Sequence, residues 1–84
     1  MIVDSELDLH GHTVDEALTK LNKYIYQSYM GGMIAVRINH GYGTGTLRRA
    51  VQKELKCNSL VNTIRSGGYG EGGEGVTIAE LADH

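Results

Sequence analysis

The apolar residues of this 84-residue chain switch repeatedly between a spacing of two and a helical spacing, and that alternation restricts the fold more than any other feature. Leu7-Asp8-Leu9-His10 alternates apolar and polar, the mark of a short strand with one buried face. Gly11 ends it. Thr13-Val14-Asp15-Glu16 is a capping box, in which Thr13 accepts from the amide three residues on and Glu16 reaches back. Val14, Ala17, Leu18, Leu21 and Ile25 then share one helix face, so the spacing predicts a helix over 13–29, stopped by Gly31-Gly32. Residues 33–39 return to period two, with Ile34, Val36 and Ile38 on one face and Ala35, Arg37 and Asn39 on the other. A second helix is predicted over 45–56. Leu47, Ala50, Val51 and Leu55 point inward there, and Arg48, Arg49, Gln52, Lys53 and Lys56 outward. Residues 60–65 and 76–81 read as short strands either side of a glycine-rich loop over 66–75.

The order β-α-β-α-β-β describes an α/β two-layer sandwich. Strand–helix–strand crossovers require parallel strands and right-handed connections. Two amphipathic helices cover one sheet face and leave the other at least partly open. Leu7 and Leu9 should face the helices, which sends Asp8, His10 and Arg37 to the opposite face. Eighty-four residues make one domain, with no linker and no internal repeat. A single Cys excludes an internal disulfide framework and points to a reducing compartment. One Cys and four His also disfavour a four-ligand zinc site. No segment approaches the ~18 apolar residues of a membrane helix, and the acidic start is unlike a signal peptide. The expectation is a cytoplasmic chain with no membrane partner.

A formal net charge of −2 looks wrong for a nucleic-acid binder, but the charges are segregated. Residues 17–65 hold all eight Lys and Arg and one acid, Glu54; residues 1–16 hold five acids and residues 66–84 four. Either one face is basic, or the blocks interleave on the surface and cancel.

In open α/β sheets, ligands collect beyond the carboxyl ends of parallel strands. His10 and His40 both sit there, and Asp8 shares a strand face with His10. If the first two strands are neighbours, Asp8, His10 and His40 converge into a general acid–base group. The plain alternative is that Asp8 pairs with Arg37 and each His bonds a loop carbonyl. His40-Gly41-Tyr42-Gly43-Thr44-Gly45 is a glycine turn at a helix N-terminus, where crowded amides favour an anion. It lacks the spacing of a dinucleotide fingerprint, because residue 46 is Thr, and no Gly-Lys-Ser/Thr follows to make a P-loop. Arg48 and Arg49 can hold further phosphates, with Lys53 continuing a basic stripe. The alternative is a turn that needs glycine for steric reasons only. Tyr69 in the late loop could stack on a base, although Glu71 and Glu74 would repel a phosphate backbone.

Leu7-Asp8-Leu9-His10-Gly11, with Val14-Asp15-Glu16-Ala17, resembles the first motif of the Smr (small MutS-related) domain. Ile38-Asn39-His40-Gly41-Tyr42-Gly43-Thr44-Gly45-Thr46-Leu47-Arg48 resembles its second, HGxGTG followed by Leu-Arg. The stretch from Glu71 to Ile78 is similar to the family's closing strand. The resemblance runs over about residues 6–81 of a single 1–84 domain, and the compact spacing after HGxGTG is most like the domain at the C-terminus of the bacterial MutS paralogue. It implies a piece of a longer chain, with Met1 added. It implies a mixed four-stranded sheet of order 1-2-4-3, the fourth strand antiparallel, with two helices on one face, as in the C-terminal domain of translation initiation factor three. It also implies an endonuclease that nicks DNA in repair or recombination, or cleaves RNA at stalled ribosomes, with little sequence specificity. The alternative is a non-catalytic nucleic-acid or ribosome binding module that positions a parent MutS-like ATPase. The family's Asp-x-His matches Asp8 and His10, and its second motif matches His40, Gly41, Gly43 and Gly45. No cofactor is expected, and the need for a divalent metal stays open, since only Asp8, with Glu6 behind it, could serve as a metal-binding carboxylate.

Overall fold

Thr13 caps the first helix as its sequence predicts. Its hydroxyl accepts from the Glu16 amide, the Glu16 carboxylate accepts from the Thr13 amide, and α1 runs Val14–Met30. These contacts come from a computed structural model that describes residues 5–68, 70 and 73–83. Ahead of α1 lies β1 (Glu6–Asp8), and β2 (Ala35–Asn39) follows it. Then come α2 (Thr46–Lys56), β3 (Val61–Ser66), a single 3₁₀ turn (Gly73–Gly75) and β4 (Val76–Leu81). The late loop over 66–75 is thus shorter than expected at both ends. Tyr69 and Glu71 lie outside the described residues.

The sheet order is β1-β2-β4-β3, with β1 parallel to β2 and β4 antiparallel to both its neighbours. The first crossover therefore pairs its two strands in parallel. The second does not, because β4 inserts between β2 and β3 and pairs with each. The mixed order is the one the family resemblance implied, and strand periodicity alone could not reveal it.

Both helices pack on one face. Leu9, Ala17, Leu21, Ile25, Val36, Ile38, Val51, Leu55, Ala79 and Leu81 form the buried core between the layers. Ten apolar side chains of this kind account for the larger part of the driving force, at about 1.5–3 kcal/mol for each fully buried Val, Leu or Ile. Ile34 departs from its expected place. It precedes β2 and is 69% exposed, although its carbonyl still accepts from the Leu81 amide at 2.8 Å. Outside the ladder, alternation no longer binds a side chain to a face.

The opposite sheet face carries Glu6, Asp8, Arg37, Asn39, Thr63, Arg65, Ile78 and Glu80, placed there by the register. Arg37 pairs with Glu6, Nε to Oε1 at 3.3 Å, so the expected alternative of an Asp8–Arg37 pair is not what forms. Glu6 stands directly opposite Arg37 in the parallel register, whereas Asp8 stands opposite Asn39. Ile78 is fully buried even on this face, flanked by the long side chains of Arg37 and Arg65.

Candidate nucleic-acid interface

The carboxyl ends of β1 and β2 meet at one end of the sheet. Asp8 and His10 stay together there, on the open face. The His10 Nδ1–H donates to Asp8 Oδ1 at 2.5 Å, and the His10 amide donates to the same oxygen at 3.1 Å. These two bonds, the side-chain one first, hold the Asp8 carboxyl below the usual carboxylate range. The His10 side chain is 68% exposed, so its Nε2 remains available to a ligand.

His40 does not join them. It follows Asn39 and turns to the helix side, where it is 4% exposed. Its Nδ1–H donates to the Gly41 carbonyl at 3.0 Å, and its Nε2 accepts from the Thr77 hydroxyl at 2.8 Å. Thr77 in turn accepts from Gln52 Nε2 at 3.1 Å. Gln52, expected outward, is thus half-buried because Thr77 needs a donor. Burial holds the His40 ring below the ordinary histidine value, opposed by its bond to Gly41 and reinforced by the Arg48 charge. The expected Asp8–His10–His40 group therefore forms only in part. All three stand at the same end of the sheet, but strand alternation puts His40 on the face opposite the other two. The Gly41 backbone lies against His10, so that a Cβ at Gly41 would come within 3.2 Å of the His10 Cβ.

The glycine turn follows. Gly41, Gly43 and Gly45 all have positive φ, at 78°, 39° and 86°. Gly45 is the N-cap of α2 and, having no side chain, cannot cap it. The Gly41 amide is used internally, by the Gly75 carbonyl at 3.0 Å and Asn39 Oδ1 at 3.1 Å. It fixes the turn and offers nothing to an anion. The next N–H groups differ. Among the described residues, no protein acceptor takes the amides of Gly43, Thr44, Gly45, Leu47 or Arg48. The Thr46 amide is held by the Thr44 hydroxyl at 3.4 Å. An uncapped helix start with no acid in its first turn, and with several unpartnered amides, is an anion-attracting end.

These residues form one wall of a cleft of about 340 Å³, and residues 11–14 form the other. His12, which the sequence reading passed over, stands on that second wall. Its Nδ1–H donates to the Leu9 carbonyl at 3.1 Å, and its Nε2 accepts from Lys20 at 2.8 Å. Its only sequence signal is its position one residue before a helix N-cap.

Arg48 reaches back over the turn to the Glu74 carboxylate, contributed by the 3₁₀ turn. Arg49 lies along Gly45, where a Cβ would come within 3.1 Å of its Nη1. Arg49, Lys53 and Lys56 continue along one exposed stripe of α2, and no described carboxylate pairs with them. Among the described residues, no cluster of three His, Cys, Asp or Glu side chains could hold a metal ion, and no helix is long and apolar enough to cross a membrane.

A family model described as the Smr domain matches residues 7–82. Endonuclease MutS2 of Acetivibrio thermocellus is 46% identical over 79 residues, which cover 94% of this chain and 10% of that protein. Endonuclease MutS2 of Caldicellulosiruptor saccharolyticus is 47% identical over 81 residues, 96% of this chain and 10% of its own. The chain therefore spans about a tenth of the length of these curated relatives. The crystal structure of the Smr domain of Thermus thermophilus MutS2 matches with a TM-score of 0.92 at 36% identity, over 95% of this chain and 100% of that one. YdaL, a stand-alone small MutS-related protein from Escherichia coli, has a TM-score of 0.88 at 24% identity, over 93% of this chain and 64% of its own, a likeness of fold.

Proposed function

The chain belongs to the Smr domain family, and from that membership we propose that it grips a nucleic-acid backbone at its glycine turn and cuts the phosphodiester chain there as a cytoplasmic endonuclease domain. The observation that carries this reading is the run of unpartnered amides at Gly43, Thr44, Gly45, Leu47 and Arg48, opening an uncapped helix beside Arg48 and Arg49. Phosphoryl oxygens are strong acceptors with negative charge, which is what such an end lacks. Lys53 extends the grip along the backbone, without regard to base sequence. The similarity to Endonuclease MutS2 supports cleavage and supports a longer parent chain whose MutS-like region this domain serves. DNA in repair or recombination and RNA at stalled ribosomes are both within reach of such a grip.

Cleavage needs charge stabilisation on the phosphoryl group and a proton carrier. The amides and Arg48 supply the first. Asp8 and His10 supply the second. Asp8 accepts from Nδ1, so the carboxylate fixes the ring's orientation and its tautomer, and Nε2 takes the proton from the attacking oxygen. On RNA that oxygen is the neighbouring 2′-hydroxyl, which bonds to phosphorus as the P–O5′ bond breaks and leaves a 2′,3′-cyclic phosphate. On DNA it is water, which displaces one ester oxygen and leaves a phosphomonoester. In both, the proton taken by Nε2 balances the one that the departing oxygen gains. His40 is a positioning residue that braces Gly41 from beneath. Its two nitrogens are already bonded, which favours a second reading, in which the domain binds without cutting and positions the parent protein.

The test is incubation of the 84-residue chain with supercoiled plasmid and with single-stranded RNA, each with and without chelator. Cleavage is expected, and His10→Ala should lower it by ~10²–10⁴-fold, the range for general acid–base groups, with binding retained. Equal cleavage by the wild type and His10→Ala would remove His10 from the chemistry. Binding with no cleavage of either substrate would establish the second reading.

A further inference from the structure

A side chain that closes a turn with its oxygen alone leaves its nitrogen to be accounted for, and Asn39 is that side chain. Its Oδ1 accepts from the Gly41 amide at 3.1 Å. A backbone N–H is met only by an acceptor, so this bond fixes which end of the carboxamide is oxygen and turns Nδ2 the other way. Among the described residues no acceptor takes Nδ2. Asp8 stands directly opposite Asn39 in the parallel register, but its carboxylate is turned to His10 instead. The carboxamide is therefore anchored at one end and has unused N–H groups at the other.

The strands decide where those N–H groups lie. Asn39 ends β2 on the open sheet face, and its carbonyl accepts from the Leu9 amide at 2.7 Å, which ties the ends of β1 and β2 together. Asp8 holds His10 on that same face from the neighbouring strand. Gly41, the partner of Asn39 Oδ1, also lies against His10, within 3.2 Å of its Cβ were a side chain added. Asn39 and His10 line one cleft, whereas the unpartnered amides from Gly43 onward line the next one. The Gly41 amide borders both, but it is already taken by Gly75 and by Asn39 itself.

We infer that Asn39 is a further catalytic residue, whose Nδ2 donates to a non-bridging oxygen of the phosphoryl group under attack, on the side of that group that faces His10. The inference rests on the cleavage reading and adds to it the contact that steadies the phosphoryl charge beside the base. As the attacking oxygen bonds to phosphorus, negative charge builds on the non-bridging oxygens. A fixed donor there binds the transition state more strongly than the ground state. The carboxamide gives up no proton; the one lost by the attacking oxygen goes to His10 Nε2. A residue that only fixes the turn needs an acceptor and nothing more, which Ser or Asp supplies as well. The two roles are thus separable by substitution.

The experiment follows cleavage by the 84-residue chain of an end-labelled RNA and an end-labelled DNA. Each carries at one linkage a phosphate, an Rp phosphorothioate or an Sp phosphorothioate. Asn39→Ser, which keeps an acceptor for Gly41, should cut the all-phosphate strand ~10²–10³-fold more slowly, the range for loss of one such donor, and bind it within about 2-fold of wild type. The ratio of the Rp and Sp rates should also change from that of the wild type, because only one of the two sulfurs replaces the acceptor of Asn39. Asn39→Asp keeps Oδ1 for the Gly41 amide and should cut no faster than Asn39→Ser. Urea midpoints show which variant is folded, and either one suffices. Cleavage by a folded variant within about 3-fold of wild type, or slower cleavage with an unchanged Rp/Sp ratio, would overturn the inference and leave Asn39 a turn residue. A wild type that binds and cuts neither strand would instead remove the cleavage reading, and this inference with it.

Discussion

The hydrogen bonds around His40 run in one direction. Gln52 donates to Thr77, Thr77 donates to His40 Nε2, and His40 Nδ1 donates to the Gly41 carbonyl. A second proton on the ring would break the Thr77 bond and charge a buried group, so the neutral ring belongs to the folded state. The consequence is pH-dependent stability with a definite sign. His40 is held below its unfolded value of about 6.5. The unfolded chain therefore binds the proton first, stability is full above about pH 6.5, and it falls as pH drops through the folded-state value. The urea midpoint of the wild type should fall between about pH 7 and pH 5, and His40→Gln, which cannot titrate there, should flatten that slope. Parallel pH profiles for the two proteins would show that His40 is not coupled to folding. Asp8, held low by His10, acts in a separate and more acidic window. The sequence could not distinguish these two histidines. His10's partner is two residues away, whereas His40, besides the adjacent Gly41 carbonyl, is held by Thr77 and, through it, Gln52, brought in by β4 and α2.

The two helix starts are built for opposite purposes. The α1 start closes on itself, with Thr13 and Glu16 satisfying each other's amides and Asp15 and Glu16 opposing the dipole. The α2 start has Gly45 in the left-handed region, no side-chain cap, and arginines in place of acids. Local signals of this kind were legible, because a cap and a helical stripe each depend on neighbours within a turn. The insertion of β4 between β2 and β3 was not, because it depends on pairing between distant segments. Gly43 offers the test at this scale. Nothing lies within 4 Å of a Cβ there, so Gly43→Ala has room, and only its positive φ is penalised, by about 1–2 kcal/mol. The variant should remain folded with a modestly lowered midpoint and bind nucleic acid less tightly, because the methyl group holds the phosphate off the amides. Unchanged affinity in a folded Gly43→Ala chain would show that phosphate does not approach the turn.

Across the whole molecule, the acidic total and the basic middle of the chain are reconciled by location. Glu6 is paired with Arg37 on the open sheet face, and Glu74 with Arg48 at the mouth of the turn. Arg49, Lys53 and Lys56 remain along α2 with no described carboxylate beside them. A stripe of basic side chains with no described carboxylate partner therefore leads along α2 to the glycine turn. A grip of this kind releases condensed counterions when it forms, so its affinity must fall with salt. The most direct measurement is the salt dependence of single-strand binding by the wild type and by the chain carrying both Arg48→Ala and Arg49→Ala. The double variant should bind more weakly at low salt, and its log–log salt slope should be shallower by up to about 1.8 units, two phosphate contacts' worth. Equal affinities and equal slopes would mean that α2 presents only a solvated face and that the phosphate backbone is held elsewhere.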